Sequence, residues 1–309
     1  MTSLLPANRF IRACKQQVAG LNLVDKTCLV VGGTNGIGKQ VALTLASRGA
    51  SVVVAGRSLE RGSQVLEQLR NQSTKSTITD IPTRHHAFER VDLLSQRDVK
   101  RFVSSIKEKH AVDHVFLTAG KPPNGQWSST EDGVETHFAL QCLGRYSVAW
   151  GLRDTVTQGI TTVCAPGGGS SCPAEDPEYR NHRSEYGFFK QAGRDSLYVD
   201  AMLLALSKQA PKLRIMHLFP GAIATTAAET AGFPWIITLL ARIFSPYVMT
   251  DAAEYAHVPV AEAFGGPAGF YGRDQYGRDV SPKPWAQDAT NQEKVVVFSE
   301  ERIKEALSA

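Results

Sequence analysis

Several features that would place this 309-residue chain in a specialised class of protein are scarce or missing. Its five cysteines are odd in number and show neither CxxC nor zinc-site spacing. The 34 basic and 30 acidic residues leave a net charge of only +4, and no long basic run occurs. These absences argue against a zinc site and against nucleic-acid binding, and they favour a reducing, cytoplasmic compartment.

Long apolar runs are missing as well. Arg9, Arg12 and Lys15 interrupt the N-terminal segment, so we expect a short amphipathic lead-in helix within residues 1–24 and not a signal peptide. A second apolar segment, Phe233–Val248, is too short to span a bilayer and contains two prolines and an arginine. The sequence therefore predicts no transmembrane segment.

What the chain does contain is an alternation of strand and helix patterns. Apolar residues make up 42% and charged residues 21%, which is ordinary for an α/β protein. Strands are predicted at Thr27–Val31, Ser51–Ala55, His86–Val91, His114–Thr118, Thr161–Cys164, Arg214–Leu218 and Gly269–Tyr271. Helices are predicted at Lys39–Ser47, Leu59–Arg70, Gln96–Lys109, Glu131–Val156, Ser184–Ser207, Pro234–Ile243 and Asp251–Phe264. This order predicts a Rossmann-type, doubly wound, mostly seven-stranded parallel sheet with helices on both faces.

No linker rich in glycine, proline or serine divides the chain, so we expect one domain over residues 1–309. A glycine-rich turn follows the first predicted strand, where Leu29–Gly38 reads Leu-Val-Val-Gly-Gly-Thr-Asn-Gly-Ile-Gly. Glycines let the backbone approach a pyrophosphate, and the following helix N-terminus offers free N–H groups and a positive dipole end. The turn predicts a dinucleotide-phosphate site.

A second motif lies far downstream, in Ser-Glu-Tyr-Gly-Phe-Phe-Lys. Tyr186 and Lys190 are four residues apart, so on a helix they would share one face and could act on one ligand. Together the two motifs resemble those of the short-chain dehydrogenase/reductase family, over nearly the whole chain. The general run of sequence is similar to NADP(H)-dependent reductases of specialised metabolism, many of them fungal, and to the retinol-dehydrogenase-like branch.

The resemblance implies a nicotinamide dinucleotide cofactor. Gly56-Arg57 stands at the end of the second predicted strand, where an NAD-preferring enzyme has an acid. The Arg57 guanidinium can bind a 2′-phosphate, so we expect NADP(H). The cofactor-binding residues implied by the family pattern are Gly32, Thr34, Asn35, Gly36, Ile37, Gly38, Arg57, Ser58, Asp92, Ala119, Gly120, Tyr186, Lys190, Pro220, Gly221 and Thr225.

The resemblance also implies a catalytic set. Tyr186 would be the general acid/base, with Lys190 stabilising its phenolate and holding the nicotinamide ribose. The family asparagine aligns with Gln141, and the family serine aligns with Ala165 or Pro166, which cannot donate a hydrogen bond. Ser170 and Ser171 follow a triple glycine and either replace that serine, with Ser171 slightly preferred, or are ordinary loop residues.

Residues 226–248 correspond to the family's variable substrate lid, and residues 272–309 form a C-terminal extension. Residues 233–248 contain an apolar stripe, which has three interpretations. It packs in the core, it forms the roof of an apolar pocket, or it makes a shallow membrane contact. The sequence leaves open whether the protein forms a homo-oligomer.

The leading hypothesis is an NADP(H)-dependent oxidoreductase that interconverts a ketone and a secondary alcohol on a bulky apolar small molecule, in a biosynthetic pathway. The alternatives are a non-redox cyclisation or rearrangement, a retinol- or steroid-type dehydrogenase, and a cofactor-sensing protein without turnover.

Overall fold

The computed structural model describes residues 6–74, 85–224 and 249–308. The strands, in chain order, are β1 Thr27–Val31, β2 Ser51–Gly56, β3 Ala87–Arg90, β4 His114–Leu117, β5 Gly159–Val163, β6 Arg214–Leu218, β7 Ile223–Ala224, β8 Thr250–Asp251 and β9 Gly269–Arg273. The helices are α1 Pro6–Ala19, α2 Gly36–Ser47, α3 Leu59–Thr74, α4 Gln96–Lys109, α5 Thr136–Phe138, α6 Gly144–Leu152, α7 Phe188–Gln209, α8 Ala252–Tyr255, α9 His257–Ala263, α10 Pro284–Gln287 and α11 Ala289–Ser308.

Seven strands form one parallel sheet in the order β3-β2-β1-β4-β5-β6-β9. All seven predicted strands are present, and the predicted Rossmann-like fold is confirmed. Strand order reverses between β1 and β4, and ligands of doubly wound sheets bind beyond the carboxyl ends of the strands at such a point. The turns after β1, β2, β4, β5 and β6 therefore define the edge where a site is expected.

Two apolar clusters cover the two faces of the sheet. One joins strand residues such as Val31 and Val115 to α4, α6, α7 and α11, and the other joins Val30 and Phe116 to α1, α2 and α9. Because both faces are covered, the central strands are buried along nearly their whole length, as is typical of parallel sheets.

The predicted lead-in helix within residues 1–24 is present as α1 and belongs to the packed fold. Its apolar side, which includes Ile11 and Val18, is buried in the second cluster. Lys15 Nζ lies 2.7 Å from Glu254 Oε1 at the start of α8. This contact joins the N-terminal helix to the segment that leads toward β9.

Several helices differ from the sequence prediction. The predicted helix Glu131–Val156 is divided into α5, a π-helical turn at Ala139–Leu143 and α6. The predicted helix Asp251–Phe264 is divided into α8 and α9. Pro234–Ile243 and the predicted lid at 226–248 lie outside the described residues. Among the helices of the described ranges, none combines the length and the apolarity needed to cross a bilayer.

Candidate functional site

The glycine-rich turn lies at the carboxyl end of β1. Gly32 has φ +86 and Gly36 has φ +52, a region that favours glycine. A Cβ on Gly32 would lie 2.4 Å from the backbone nitrogen of Ala119, so the turn packs directly against the end of β4. Helix α2 begins at Gly36 with no acidic residue in its first turn, which leaves its positive end uncompensated by a carboxylate there. The predicted residues Thr34, Asn35 and Ile37 all belong to this turn or to the start of α2.

Close packing of α2 against the sheet depends on Gly38. A Cβ at this position would lie 2.3 Å from Thr118 Oγ1 and 2.4 Å from the Gly32 carbonyl oxygen. Thr118 Oγ1 donates a hydrogen bond of 2.9 Å to the carbonyl of Val31. The Thr118 hydroxyl therefore joins the ends of β1 and β4.

Arg57 stands at the end of β2 beside this turn. Gly56 is buried, and a Cβ there would lie 2.9 Å from Thr34 Cγ2 in the turn. The Arg57 side chain is exposed and makes no hydrogen bond or ion pair with any residue that the structure describes. Ser58, predicted as a cofactor-binding residue, has an Oγ that accepts a hydrogen bond from Arg61 N at 3.2 Å and so caps α3.

Asp92 follows β3, and its carboxylate has a local structural role. Its Oδ1 accepts a hydrogen bond of 3.0 Å from Leu94 N, and its own N–H donates to Asp98 Oδ2 at 2.6 Å. Asp92 is half-buried at the carboxyl edge of the sheet, with Ala119 and Gly120 after β4 at the same edge.

Gln141, on the π-helical turn, is buried, and its amide is already engaged. Its Nε2 donates to the Lys121 carbonyl at 3.0 Å, and its Oε1 accepts from Arg145 Nη2 at 3.0 Å. Arg145 Nη2 also donates to the Ala119 carbonyl at 2.7 Å, and Nη1 donates to the Val163 carbonyl at 2.8 Å. This buried guanidinium connects the ends of β4 and β5, and sequence reasoning did not identify it.

Tyr186 and Lys190 do not share a helix face, which corrects the sequence prediction. Helix α7 begins at Phe188, not at Ser184, because the backbone at Tyr186 (φ −70, ψ 126) and Gly187 (φ −166, ψ 175) is extended. The i, i+4 argument holds only within a continuous helix. Lys190 is exposed in the first turn of α7.

The Tyr186 hydroxyl points in a different direction, toward buried charges. It is buried without a hydrogen-bond partner among the described residues. Burial and then the nearby Glu135 carboxylate raise the pKa of the Tyr186 phenol well above its usual range, although Arg194 opposes them. In this position the phenol stays protonated over the ordinary pH range.

Glu135 and Arg194 belong to a network that the sequence did not reveal. Arg194 Nη2 lies 3.0 Å from Glu135 Oε2, and its Nε lies 2.7 Å from Asp195 Oδ1. Asp195 Oδ2 in turn is 2.9 Å from His137 Nδ1. Glu135 also caps α5 by accepting hydrogen bonds from the backbone nitrogens of residues 137 and 138.

The network continues to the C-terminal helix. Glu178 Oε2 accepts a 2.6 Å hydrogen bond from Glu135 N, and its Oε1 accepts one of 2.6 Å from Arg302 Nε of α11. Both carboxylates are fully buried. The loop between β5 and α7, the start of α5 and the helix α11 are thus joined through charged side chains.

The loop at the vacant serine position is held by α7 and β6. Gly167 N donates to Asp200 Oδ2 at 2.8 Å, Gly168 N donates to Ser196 Oγ at 2.8 Å, and Ala165 N donates to His217 Nε2 at 3.2 Å. Ser170 and Ser171 lie beyond the triple glycine and are exposed. Their suggested role as replacements for the family serine stays a prediction.

Pro220 and Gly221 follow β6 at the same edge, with Gly221 at φ +69. Thr225, the last residue of the predicted nicotinamide loop, lies outside the described residues. Within the described ranges, no group of three or more histidine, cysteine or acidic residues is arranged to hold a metal ion.

Comparison with known proteins agrees with this geometry. Residues 26–157 match the family model described as short chain dehydrogenase. The chain is 24% identical over 303 residues to the WW domain-containing oxidoreductase of Danio rerio, an alignment that covers 93% of this chain and 70% of that protein. It is 34% identical over 122 residues to retinol dehydrogenase 13 of Mus musculus, covering 39% of this chain and 34% of that protein.

A solved structure with a similar fold is the MalC reductase/Diels-Alderase of Malbranchea aurantiaca. Its TM-score is 0.58 at 18% identity, covering 84% of this chain and 96% of that one. Such a low identity supports the fold alone. The family-model match covers residues 26–157, and the seven-stranded fold agrees with it, so this part of the chain is similar to the short-chain dehydrogenases, whose family binds NAD or NADP.

Proposed function

We propose that this protein is an NADP(H)-dependent oxidoreductase that interconverts a ketone and a secondary alcohol on a bulky apolar small molecule. The observation that carries the proposal is the pairing of the glycine-rich turn with an unpaired Arg57 at the ends of neighbouring strands. When bound, the nicotinamide supplies or accepts the hydride.

The turn fits a dinucleotide because its glycines have no side chains, so the backbone can come close to a ligand or to a neighbouring strand. Gly32 and Gly36 occupy left-handed conformations, and the first N–H groups of α2 have no partner within the helix. Arg57 would bind the adenosine 2′-phosphate through charge-assisted hydrogen bonds. Gly56 beside it leaves no carboxylate to repel that phosphate.

Tyr186 would supply the proton to the developing alkoxide. Burial and the Glu135 carboxylate raise the pKa of its phenol, so the proton stays on the oxygen in the free protein. Lys190 would bind the ribose, and Gln141 positions Lys121 and Arg145 at the strand ends.

An apolar substrate is favoured by the side chains that flank the site. Phe189, in the first turn of α7, is 86% exposed, and Phe188 and Phe219 are also exposed large hydrophobic residues. Two relatives of part of this chain are named for retinol and polyprenol, which are apolar alcohols. A place in specialised metabolism is part of the same proposal, and the MalC reductase fold is compatible with it.

A second candidate is a cofactor-binding protein that catalyses a non-redox cyclisation or rearrangement. The separation of Tyr186 from Lys190 and the absence of a serine at residue 165 favour it. It would retain NADP(H) binding without consuming the cofactor.

The test measures NADPH absorbance and product mass together. The full chain is incubated with NADPH and a panel of apolar ketones, including a steroid ketone, with retinal added as an apolar aldehyde. Oxidation of NADPH in step with formation of the alcohol supports the reductase. Product formation with unchanged NADPH would support the non-redox candidate, and binding of NADPH without any product would contradict both.

A further inference from the structure

The chain before α7 is helical in two pieces with a short break between them. Arg183–Glu185 forms a 3-10 turn, and α7 begins at Phe188. Tyr186 and Gly187 lie between the two pieces, and both have an extended backbone, with φ −70 and ψ 126 at Tyr186 and φ −166 and ψ 175 at Gly187. A change in the backbone angles of these two residues would therefore join the pieces into one helix.

The break leaves α7 with a weak N-terminus. Gly187 stands at the N-cap position and provides no side-chain cap, and the first turn of α7 contains no acidic residue. The N–H groups of residues 188–190 have no acceptor within α7, because a helical N–H donates to the carbonyl four residues earlier. In a continuous helix these groups would donate to the carbonyls of residues 184–186. The longer helix would thus make three hydrogen bonds that α7 lacks.

Tyr186 is held in the break by packing. Its ring lies edge-on against the Tyr179 ring, with 5.7 Å between the centroids, and its hydroxyl is buried without a hydrogen-bond partner among the described residues. Tyr179 is itself buried and directly follows Glu178 of the ion network. A buried hydroxyl without a partner has lost the hydrogen bonds that it makes in water. Ring packing therefore favours the buried position of Tyr186, and desolvation of its hydroxyl opposes it.

Gly187 is compatible with both conformations of the chain. Glycine is less favourable in a helix than alanine, because it loses more backbone freedom there. A Cβ at Gly187 would meet no described residue other than its chain neighbours within 4 Å. A methyl group can therefore be added at this position without a clash, so the preference for helix can be changed while the packing stays the same.

The two conformations differ in what they offer to a ligand. In the observed conformation the Tyr186 hydroxyl is buried, whereas Lys190 is exposed in the first turn of α7. In a continuous helix these side chains, four residues apart, would share one face and could contact one ligand. A ligand that contacts both binds the continuous helix more tightly, and such a difference in affinity shifts an equilibrium between two conformations.

We propose that residues 184–187 form a conformational switch that is operated by the cofactor. The extended form keeps the Tyr186 hydroxyl buried, and binding of NADP(H) favours a continuous helix from residue 184 that presents Tyr186 beside Lys190. This inference rests on the proposed function, because NADP(H) is the ligand in both. The protein without cofactor is inactive because its proton donor is withheld, so bound cofactor prepares the site for the substrate.

The test is hydrogen–deuterium exchange of the full chain, measured at the amides of residues 188–190 without cofactor and with NADPH. We expect NADPH to slow exchange at these amides about tenfold, because they gain acceptors in the continuous helix. Unchanged exchange in protein that calorimetry shows to be saturated with NADPH would overturn the switch and leave cofactor binding intact. Calorimetry without any NADPH binding would instead contradict the proposed function.

Two substitutions at Gly187 test the switch in the absence of cofactor. Gly187→Ala favours the helix, whereas the matched control Gly187→Val also adds a side chain but favours the extended backbone. Amides 188–190 should exchange several-fold more slowly in Gly187→Ala than in Gly187→Val, and Gly187→Ala should bind NADPH about fivefold more tightly than the wild type. Equal exchange in the two variants, both folded by circular dichroism, would overturn the switch whether or not NADPH binds. Should one variant be unfolded, the other is compared with the wild type in the same way.

Discussion

The guanidinium of Arg194 lies 3.0 Å from the Glu135 carboxylate, and neither side chain is exposed to solvent. The two residues are 59 positions apart in the sequence. Their contact connects the second turn of α7 to the cap of α5, and the Tyr186 hydroxyl is buried beside it. The phenol expected to donate the proton is therefore buried next to a structural ion network.

Breaking this ion pair should destabilise the fold strongly. Arg194→Met leaves two buried carboxylates, Glu135 and Asp195, without their cation, and we expect a loss of about 3–5 kcal/mol in the free energy of unfolding. The control is Arg101→Ala, which breaks an exposed pair with Asp98 and should cost less than about 1 kcal/mol. Guanidinium unfolding measures both, and equal losses would contradict the assignment.

Cofactor preference depends on Arg57. Arg57→Ala should weaken NADPH binding by about 10- to 100-fold, because one charge-assisted phosphate contact is lost, and should leave NADH binding unchanged. Arg70→Ala, an exposed arginine at the far end of α3, is the matched control. Calorimetric titration decides, and equal NADPH affinity in wild type and Arg57→Ala would show that Arg57 is an ordinary surface residue.

Tyr186→Phe should abolish turnover while NADPH affinity and stability stay nearly unchanged. The hydroxyl has no hydrogen-bond partner among the described residues, so its removal should change the free energy of unfolding by less than about 1 kcal/mol. Lys190→Ala should reduce both turnover and cofactor affinity. Steady-state rates and titrations test this, and a Tyr186→Phe protein with most of the wild-type rate would mean another group donates the proton.

The two exposed loop serines provide a separate test. If Ser170 or Ser171 donates to the substrate oxygen, replacing both by alanine should lower turnover roughly 100-fold without affecting NADPH binding. Single variants then show which hydroxyl acts, and we expect Ser171. An undiminished rate in the double variant would leave the carbonyl oxygen with Tyr186 as its donor.

His114 should make the protein sensitive to mild acid. Burial, and then the charge of Arg214, lower its pKa to about 3. The unfolded chain binds this proton more readily than the folded one. The contribution of His114 to the free energy of unfolding is therefore complete above pH 6.5, and it falls by about 1.4 kcal/mol per pH unit as the pH drops toward 3. His114→Gln should reduce this slope between pH 6.5 and 5, whereas His85→Gln, at an exposed position, should keep it. Urea unfolding across that range measures the slope.

The sheet could be predicted because its strands are short runs of buried apolar residues. Thr27–Val31 and Arg214–Leu218 were predicted with the bounds that the structure has. The start of α7 could not be predicted from the sequence. Gly187 adopts an extended backbone, although the residues around it are compatible with a helix. An isolated glycine does not reveal from sequence whether a helix continues through it.

Helix α11 was missed for a different reason. Its buried positions include the polar residues Gln292, Ser299 and Arg302, so the apolar periodicity that predicts a helix is weak. The phosphate turn could be identified because its glycines and flanking strand are contiguous. The Glu135 network and the His217–Asp200 pair could not be identified from the sequence, because their residues come close to each other only after folding.

The hydrogen bond between Arg302 and Glu178 makes the C-terminal extension, residues 272–309, part of the packed interior. Arg302 of α11 neutralises a buried acid that also binds the backbone of Glu135. Tyr198 of α7 donates a further hydrogen bond to Val295 in the same helix. Shortening the chain before α11 would leave the buried Glu178 carboxylate with Arg180, whose Nε lies 3.3 Å away, as its remaining cationic partner among the described residues. Helix α11 therefore stabilises the loop between β5 and α7, which contains Tyr186. A substitution in α11 is expected to alter the position of that loop.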